Sequence, residues 1–459
     1  MAGRTYRELG EAAWTWVLGE VRGDDGPWLP DVIPPDGEPE TAPAPDRDSL
    51  YAGIAGLAPV LAEIGRCRPL TDTERALADG IVARLTALVP TTVEACLYDG
   101  LAGYATALRL LAPGTEQAVL RRLDDLATPD GWESTVDLGE DTPGRPLTDV
   151  VMGTAGVVMT ATWLDQGRSA SSRAEGEHAQ RIMTVGGEAL LRAAEETEAG
   201  LDWRMWPGYR SSSPNFSHGT AGVASALAIA GHALGRSDFI EAAQRGAHHM
   251  LSVAWLDDGG LVIPHTLPYS KREVEPVTYT WCHGPAGTSL AFAALGLAGV
   301  EAVQDYTVQA LRRRCLHSVL TSGVPQRLRP GFWDNDGRCC GTAGVGDVLL
   351  DAAQDTGDPA YLDGARMMAD ALVERAIVDG AGARWRFIEH RQEPPLLPPR
   401  TSWMQGAAGI GAFLLRLARV EEAGLGADVV VRPDQWWAVP ASLRELAERP
   451  STAVRIDQA

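Results

Sequence analysis

No stretch of the chain stays apolar for the eighteen or more residues that a membrane helix needs, so no membrane span is expected. Met1 to Val21 scatters Arg4, Arg7, Glu8, Glu11 and Glu20 among apolar residues. That pattern fits neither a signal peptide nor an acid-poor transit peptide, and the expected location is the cytoplasm. Basic residues are outnumbered, 40 against 61 acidic, for a net charge of −21. Such a surface disfavours nucleic acid and anionic lipid as partners; the excess acid serves solubility. Cysteine is scarce too: six in 459 residues is no disulfide framework. Cys339 and Cys340 are adjacent, and neighbouring cysteines rarely meet disulfide geometry, so reduced thiols are expected. There is no P-loop, no Rossmann glycine pattern in a βαβ context and no His-Glu-x-x-His motif.

What the chain does have is a glycine motif repeated seven times, each copy just before an apolar helical run. The leading glycines are Gly53, Gly100, Gly153, Gly219, Gly284, Gly341 and Gly406, and a second glycine follows three residues after each. Their spacings are 47, 53, 66, 65, 57 and 65 residues, the mark of one supersecondary unit used repeatedly. A glycine pair at a helix start lets backbones approach closely and leaves N–H groups free. The runs that follow, such as Val223–Ala230 and Thr288–Leu295, are rich in Ala and Leu and almost uncharged, as a fully buried helix requires.

Amphipathic, charged stretches lie between them and read as exposed helices. Thr71 to Glu74 is a capping box opening a helix through Leu88, and Asp358-Pro359 opens another. Further exposed helices are expected at Thr115–Leu126, Ala174–Glu195, Ser237–Val253 and Val300–His317. Buried helices cannot face water, so seven inner helices ringed by seven outer ones form the natural closure. The expected fold is an all-α, α/α toroid rather than an open solenoid, whose units repeat at roughly 33–47 residues without a fully apolar member. A single domain is expected over residues 1–459. It comprises an outer helix and Pro-rich connection in 1–46, seven repeats over about 47–430, and a C-terminal extension in 431–459. Long loops such as Thr128–Asp149 and Leu201–Phe216 gather at the end where the inner helices begin, here called the mouth.

The two residues before each leading glycine sit at that mouth. In order they are Tyr51-Ala52, Tyr98-Asp99, Val151-Met152, Ser217-His218, Cys282-His283, Cys339-Cys340 and Met404-Gln405. Three of the six cysteines and two of the nine histidines occupy these places. Cys282, Cys339 and Cys340 belong to consecutive units, so their helix starts are neighbours. Three converging thiolates make a zinc site one ligand short of tetrahedral, the arrangement of catalytic zinc. The alternative is that they are small apolar core residues.

The segments Ser217-His218-Gly219, Trp281-Cys282-His283-Gly284 and Cys339-Cys340-Gly341 make the chain resemble the lanthionine synthetase C-like family, over its whole length. The resemblance implies a toroid of seven inner and seven outer helices. It also implies one Zn²⁺ per chain, held at the positions of Cys282, Cys339 and Cys340. Most members have histidine where this chain has Cys340. A third thiolate leaves the site at −1, which should weaken the Lewis acidity of the metal and leave a bound sulfur more nucleophilic. The implied reaction is addition of a cysteine thiol to dehydroalanine or dehydrobutyrine, forming thioether (lanthionine) rings in a peptide. His218 matches the family's acid, whereas a lone histidine is otherwise usually structural. Asp149 matches an aspartate that would orient His218, or it is a helix cap. His283 is a second acid or a filler of the mouth, and Trp281 is a wall of the site. Bacterial cyclases of the family often carry an arginine shortly before the Trp-Cys pair. Here Thr278, Tyr279 and Thr280 stand there and Arg272 is the nearest.

The expected partner is therefore a dehydrated peptide, with dehydration supplied by a separate dehydratase. A close variant adds an external thiol such as glutathione, a direction in which the Trp-Cys-His-Gly form leans. A non-catalytic peptide-binding relative would be expected to lose metal ligands, and all three positions keep them. A toroid glycosidase needs two facing carboxylates; Asp99 and Asp149 are the only acids near the mouth, and it leaves the cysteines without a purpose. His248-His249 and the Cys315/His317 pair fall in outer helices and read as structural.

Overall fold

The computed structural model describes residues 2–33, 43–137, 144–166, 173–269, 276–326, 335–389 and 392–447. In chain order the helices are α1 (Ala2–Gly19), α2 (Leu57–Cys67), α3 (Asp72–Leu88), α4 (Leu101–Leu111), α5 (Gln117–Leu126), α6 (Thr154–Gln166) and α7 (Arg173–Ala193). They continue as α8 (Thr220–Leu234), α9 (Ser237–Val253), α10 (Pro285–Leu297), α11 (Val308–Thr321), α12 (Thr342–Thr356), α13 (Pro359–Arg375), α14 (Ala407–Ala423) and α15 (Ala441–Ala447). No helix among the described residues is long and apolar enough to cross a membrane.

The even-numbered helices from α2 to α14 each begin at a glycine motif and form the inner ring. In α8 every residue from Thr220 to Gly231 is buried, as its uncharged sequence demands. The odd-numbered helices from α1 to α13 lie outside. In α9 only one face is buried, through Phe239, Ala242, Ala243, Gly246, Ala247 and Met250 at helical spacing. Each inner helix packs on the next, and α14 packs on α2, so the ring closes. The chain is an α/α toroid, and the open solenoid is excluded. The seventh outer helix is α1, which docks on α14 from the far end of the sequence.

A circuit of backbone hydrogen bonds ties the mouth together. Tyr51 N–H donates to the Tyr98 carbonyl (3.0 Å), Tyr98 to Val151 (3.3 Å) and Val150 to Ser217 (3.2 Å). Ser217 then donates to Cys282 (3.0 Å), Cys282 to Cys339 (3.2 Å), Cys339 to Met404 (2.9 Å), and Met404 back to Tyr51 (3.2 Å). The residues two before the leading glycines thus form a closed loop, with a one-residue step only at Val150/Val151. Buried backbone polar groups must find partners, and here the repeat supplies them.

Local signals set most helix starts. The Thr71 hydroxyl accepts from Glu74 N–H while the Glu74 carboxylate accepts from Thr71 N–H, and Asp358 caps α13 through Ala360 N–H. The helix expected at Val300–His317 instead starts at Val308, because Ala302–Val303 and Tyr306–Thr307 pair as a two-stranded hairpin. Gln304 turns that hairpin at φ 52°, and Thr307 then caps the helix on Ala310 N–H. Expected starts at Thr115 and Ala174 fall within two residues of the observed ones.

The C-terminal extension does more than follow the last repeat. Its Trp436–Ala438 turn packs on α10 and α12, and the Trp437 indole donates to the Leu290 carbonyl at 2.9 Å. Arg432 Nη2 donates to Asp347 (2.8 Å), which also takes Arg338 Nη2 and Arg416 Nη1 at 2.8 Å each. Arg416 Nη2 further reaches Asp351 and Gln354, both at 2.7 Å. Every one of these side chains is buried. Removing one member strands charge in a dry interior, so Arg416→Met should cost about 3–5 kcal/mol in urea unfolding. A loss under about 1 kcal/mol would show that the network relaxes around the gap.

Candidate metal centre

The second glycine of each motif is what folds the mouth residues over their helix start. A side chain on Gly287 would put its Cβ 1.9 Å from the Trp281 carbonyl oxygen, and one on Gly344 would lie 1.8 Å from that of Arg338. Only glycine permits that approach. Trp281 directly precedes Cys282, and Arg338 directly precedes Cys339, so the same two contacts fix the three cysteines.

Cys282 Sγ lies 3.2 Å from Cys340 Sγ, which lies 3.2 Å from Cys339 Sγ, and all three sulfurs fall within 4.8 Å of one another. All are buried, and they form the only such ligand cluster among the described residues. Three sulfurs on a tetrahedral zinc ion, with Zn–S bonds of about 2.3 Å, stand roughly 3.8 Å apart. The observed spacing needs only a small outward adjustment to admit the ion. Burial pushes the Cys282 and Cys340 thiols well up, while hydrogen bonds from Cys282 and Cys340 hold Cys339 well down. One hydroxyl attends the sulfurs: Thr280 Oγ1 lies 3.2 Å from Cys282 Sγ.

His218 stands beside this cluster. Its Nδ1 lies 2.6 Å from Asp149 Oδ2, and the other oxygen of Asp149 accepts from Met152 N–H at 3.1 Å. Asp149 is thus both a turn cap and the partner of His218. The carboxylate is fully buried (0%), whereas 28% of the His218 side chain is open to the mouth. Burial disfavours the charged imidazole, but the hydrogen bond and charge of Asp149, aided by Cys339, outweigh it and raise its pKa.

His283 lies next to His218, with ring centroids 5.4 Å apart, and His265 stacks on its other side at 3.9 Å. His265 has no place in the repeat and no signal in the sequence pointed to it. Trp281 is buried, edge-on to Tyr98 and Phe216. Asp99 is also near; burial and the charges of Asp46, Glu94 and Asp149 push its carboxyl up to about 7. Thr278, Tyr279 and Thr280 are buried before the Trp-Cys pair, and Arg272 lies outside the described residues. His248-His249 are carried on α9, and Cys315 and His317 on α11, all on outer helices.

No curated protein matches the sequence. The structure of nisin cyclase is similar over 81% of this chain and 88% of that one, with a TM-score of 0.52 at 16% identity. An unsaturated glucuronyl hydrolase from Bacillus sp. GL1 aligns over 92% of this chain and 97% of its own, with a TM-score of 0.43 at 13% identity. At these identities the first likeness speaks for the fold alone, and the second carries no argument. The sequence profile described as lanthionine synthetase C-like protein matches residues 44–425, well over half of the chain. The chain belongs to the lanthionine synthetase C-like family.

Proposed function

We propose that this protein catalyses zinc-dependent addition of a cysteine thiol to dehydroalanine or dehydrobutyrine, closing thioether rings in a dehydrated peptide. One observation carries the reading: three buried sulfurs meet beside a histidine held by a buried aspartate. Family membership and the likeness to a protein named as a cyclase agree with it.

A zinc ion held by Cys282, Cys339 and Cys340 would let a substrate thiol lose its proton near neutral pH, where a free thiol of pKa about 8.5 is mostly protonated. The chain's own part is to finish the addition. When the sulfur bonds to the β-carbon, the π electrons move toward the carbonyl and an enolate forms. Asp149 can only accept, so His218 Nδ1 carries a proton to it and Nε2 is left to face the mouth. Protonated Nε2 delivers its proton to the α-carbon, and the imidazole recovers one from the proton the thiol released. The sum is S–H added across C=C, with no oxidant or reductant. His283 and His265 line the same side, where they bound the space open to the substrate.

The test is metal analysis followed by assay on a dehydroalanine peptide, offered either an internal cysteine or free glutathione. Stoichiometric zinc with ring closure at unchanged mass supports cyclisation. Glutathione adducts without ring closure would move the function to external thiol addition. Neither product from metal-loaded protein would leave a binding role.

A further inference from the structure

The family match ends at residue 425, yet every residue from Arg432 to Val439 is buried. Irregular segments usually run over a protein's surface, because burial strands their backbone polar groups. This one is tied to inner helices on opposite arcs of the ring. Trp437 donates to the Leu290 carbonyl of α10, while Arg432 and Gln435 bond Asp347 and Asp351 of α12, respectively. On the other arc, Arg432 and Asp434 share a small cavity with Pro59 of α2 and Thr106 of α4. A segment bounded on both arcs lies inside the ring.

There it engages the two residues that directly precede the cysteine positions. Arg338 stands before Cys339. Its Nη2 donates at 2.8 Å to Asp347 Oδ2, the same oxygen that takes Arg432 Nη2 at 2.8 Å. Both guanidiniums lie over the Trp403 ring, Arg338 at 4.2 Å and Arg432 at 5.6 Å from its centre. The Arg338 side chain crosses Gly409, where a Cβ would come within 2.7 Å of its Cδ, so it fills a slot that only glycine leaves open. Trp281 stands before Cys282, with the Tyr98 ring at 5.8 Å and the Phe216 ring at 5.5 Å. The C-terminal segment holds both of these flanking rings. The Tyr98 hydroxyl donates to Asp434 Oδ2 at 3.3 Å, and the Trp437 and Phe216 centroids are 6.5 Å apart. Arg432, Asp434 and Gln435 line one cavity with Trp281 and Arg338; at about 10 Å³ it has room for no more than a single water.

We propose that Arg432–Trp437 is a wedge that presets the three-cysteine site, positioning Arg338 and Trp281 so that Cys339, Cys340 and Cys282 meet before a metal arrives. This rests on reading the cysteines as metal ligands. Ligands gathered from a looser arrangement lose freedom on binding, and a site already assembled avoids that loss. Buried ion pairs suit the task, because any other geometry leaves charge unpaired in a dry interior. Arg432, Asp434 and Trp437 are positioning residues that act through Arg338 and Trp281.

Zinc affinity, measured by competition with a chromophoric chelator on protein shown to be folded by circular dichroism, tests this without any turnover. Arg432→Met should lower zinc affinity by about tenfold or more, the usual size of effects from groups outside the ligand set. Trp437→Leu should lower it by less, since Arg338 stays held. Arg419→Met is the control for lost stability alone. It removes an arginine as deeply buried as Arg432, bonded to Glu63 and to the Asp428 carbonyl, away from both cysteine segments. Its zinc affinity should stay within twofold of the unaltered protein. Losses in Arg432→Met and Trp437→Leu no larger than in Arg419→Met would overturn the proposal and leave the segment a clamp on the fold. If Arg432→Met does not fold, Trp437→Leu decides. Failure of the unaltered protein to bind zinc would instead overturn the ligand reading beneath it.

Discussion

Cys282→Ala should yield a folded protein that carries no stoichiometric zinc and adds thiols at least about a thousandfold more slowly in kcat/KM. Cys282 is one of three sulfurs within 4.8 Å, and its loss leaves only two ligands on one segment, Cys339 and Cys340. Stabilisation by a Lewis acid is worth several kcal/mol, and each 1.4 kcal/mol is about tenfold in rate. The fold should survive because Cys282 packs as a small apolar side chain, and its truncation costs on the order of 1 kcal/mol. Metal content, circular dichroism and turnover of a dehydroalanine peptide check the three parts separately. Retained zinc with unaltered turnover would remove Cys282 from the site. Lost zinc with unaltered turnover would separate the metal from the chemistry.

His218→Asn should keep the metal and lower kcat by about 10²- to 10⁴-fold, the usual contribution of a positioned acid. Its metal content distinguishes it from the cysteine variant. Asp149→Asn should act through His218 and move the pH profile. Asp149 raises the pKa of His218 against the lowering effect of burial. An acid is active while protonated, so the rate should fall as pH rises through that raised value. Asparagine removes the charge and leaves burial, so the alkaline limb should shift to lower pH. The same pairing contributes stability that is fully present below about pH 6.5, the unfolded value, and is lost as pH rises through the folded one. An Asp149→Asn profile that drops in height without moving would assign Asp149 to the turn at Met152 alone.

Much of this architecture was legible because the repeat carries its own physics. An uncharged helix such as α8 has to be surrounded, and the seven inner helices closed as a ring as expected, although α12 and α14 carry the buried charges of Asp347, Asp351 and Arg416. The residues before each glycine could be aligned on paper, which brought His218, Cys282, Cys339 and Cys340 to one end. Tyr51 and Gln405 were in that same alignment, but nothing in their types linked them to each other or to Arg400. Their hydrogen bonds join Asp31, Arg400 and Tyr51 across more than 350 residues of sequence, a separation that no local pattern encodes. The burial of Trp436 and Trp437 against α10 and α12 was hidden for the same reason. Val300–Thr307 misled because its apolar spacing suits either a helix turn or a short hairpin, and the turn at Gln304 decided it.

Zinc K-edge X-ray absorption, recorded before and after a thiol is added, bears most directly on the three-cysteine centre. Three sulfurs at about 2.3 Å with one lighter neighbour, exchanged for a fourth sulfur when the thiol arrives, is the expected result. Zinc held by fewer than three sulfurs, or a complete shell that the thiol leaves unchanged, would contradict it.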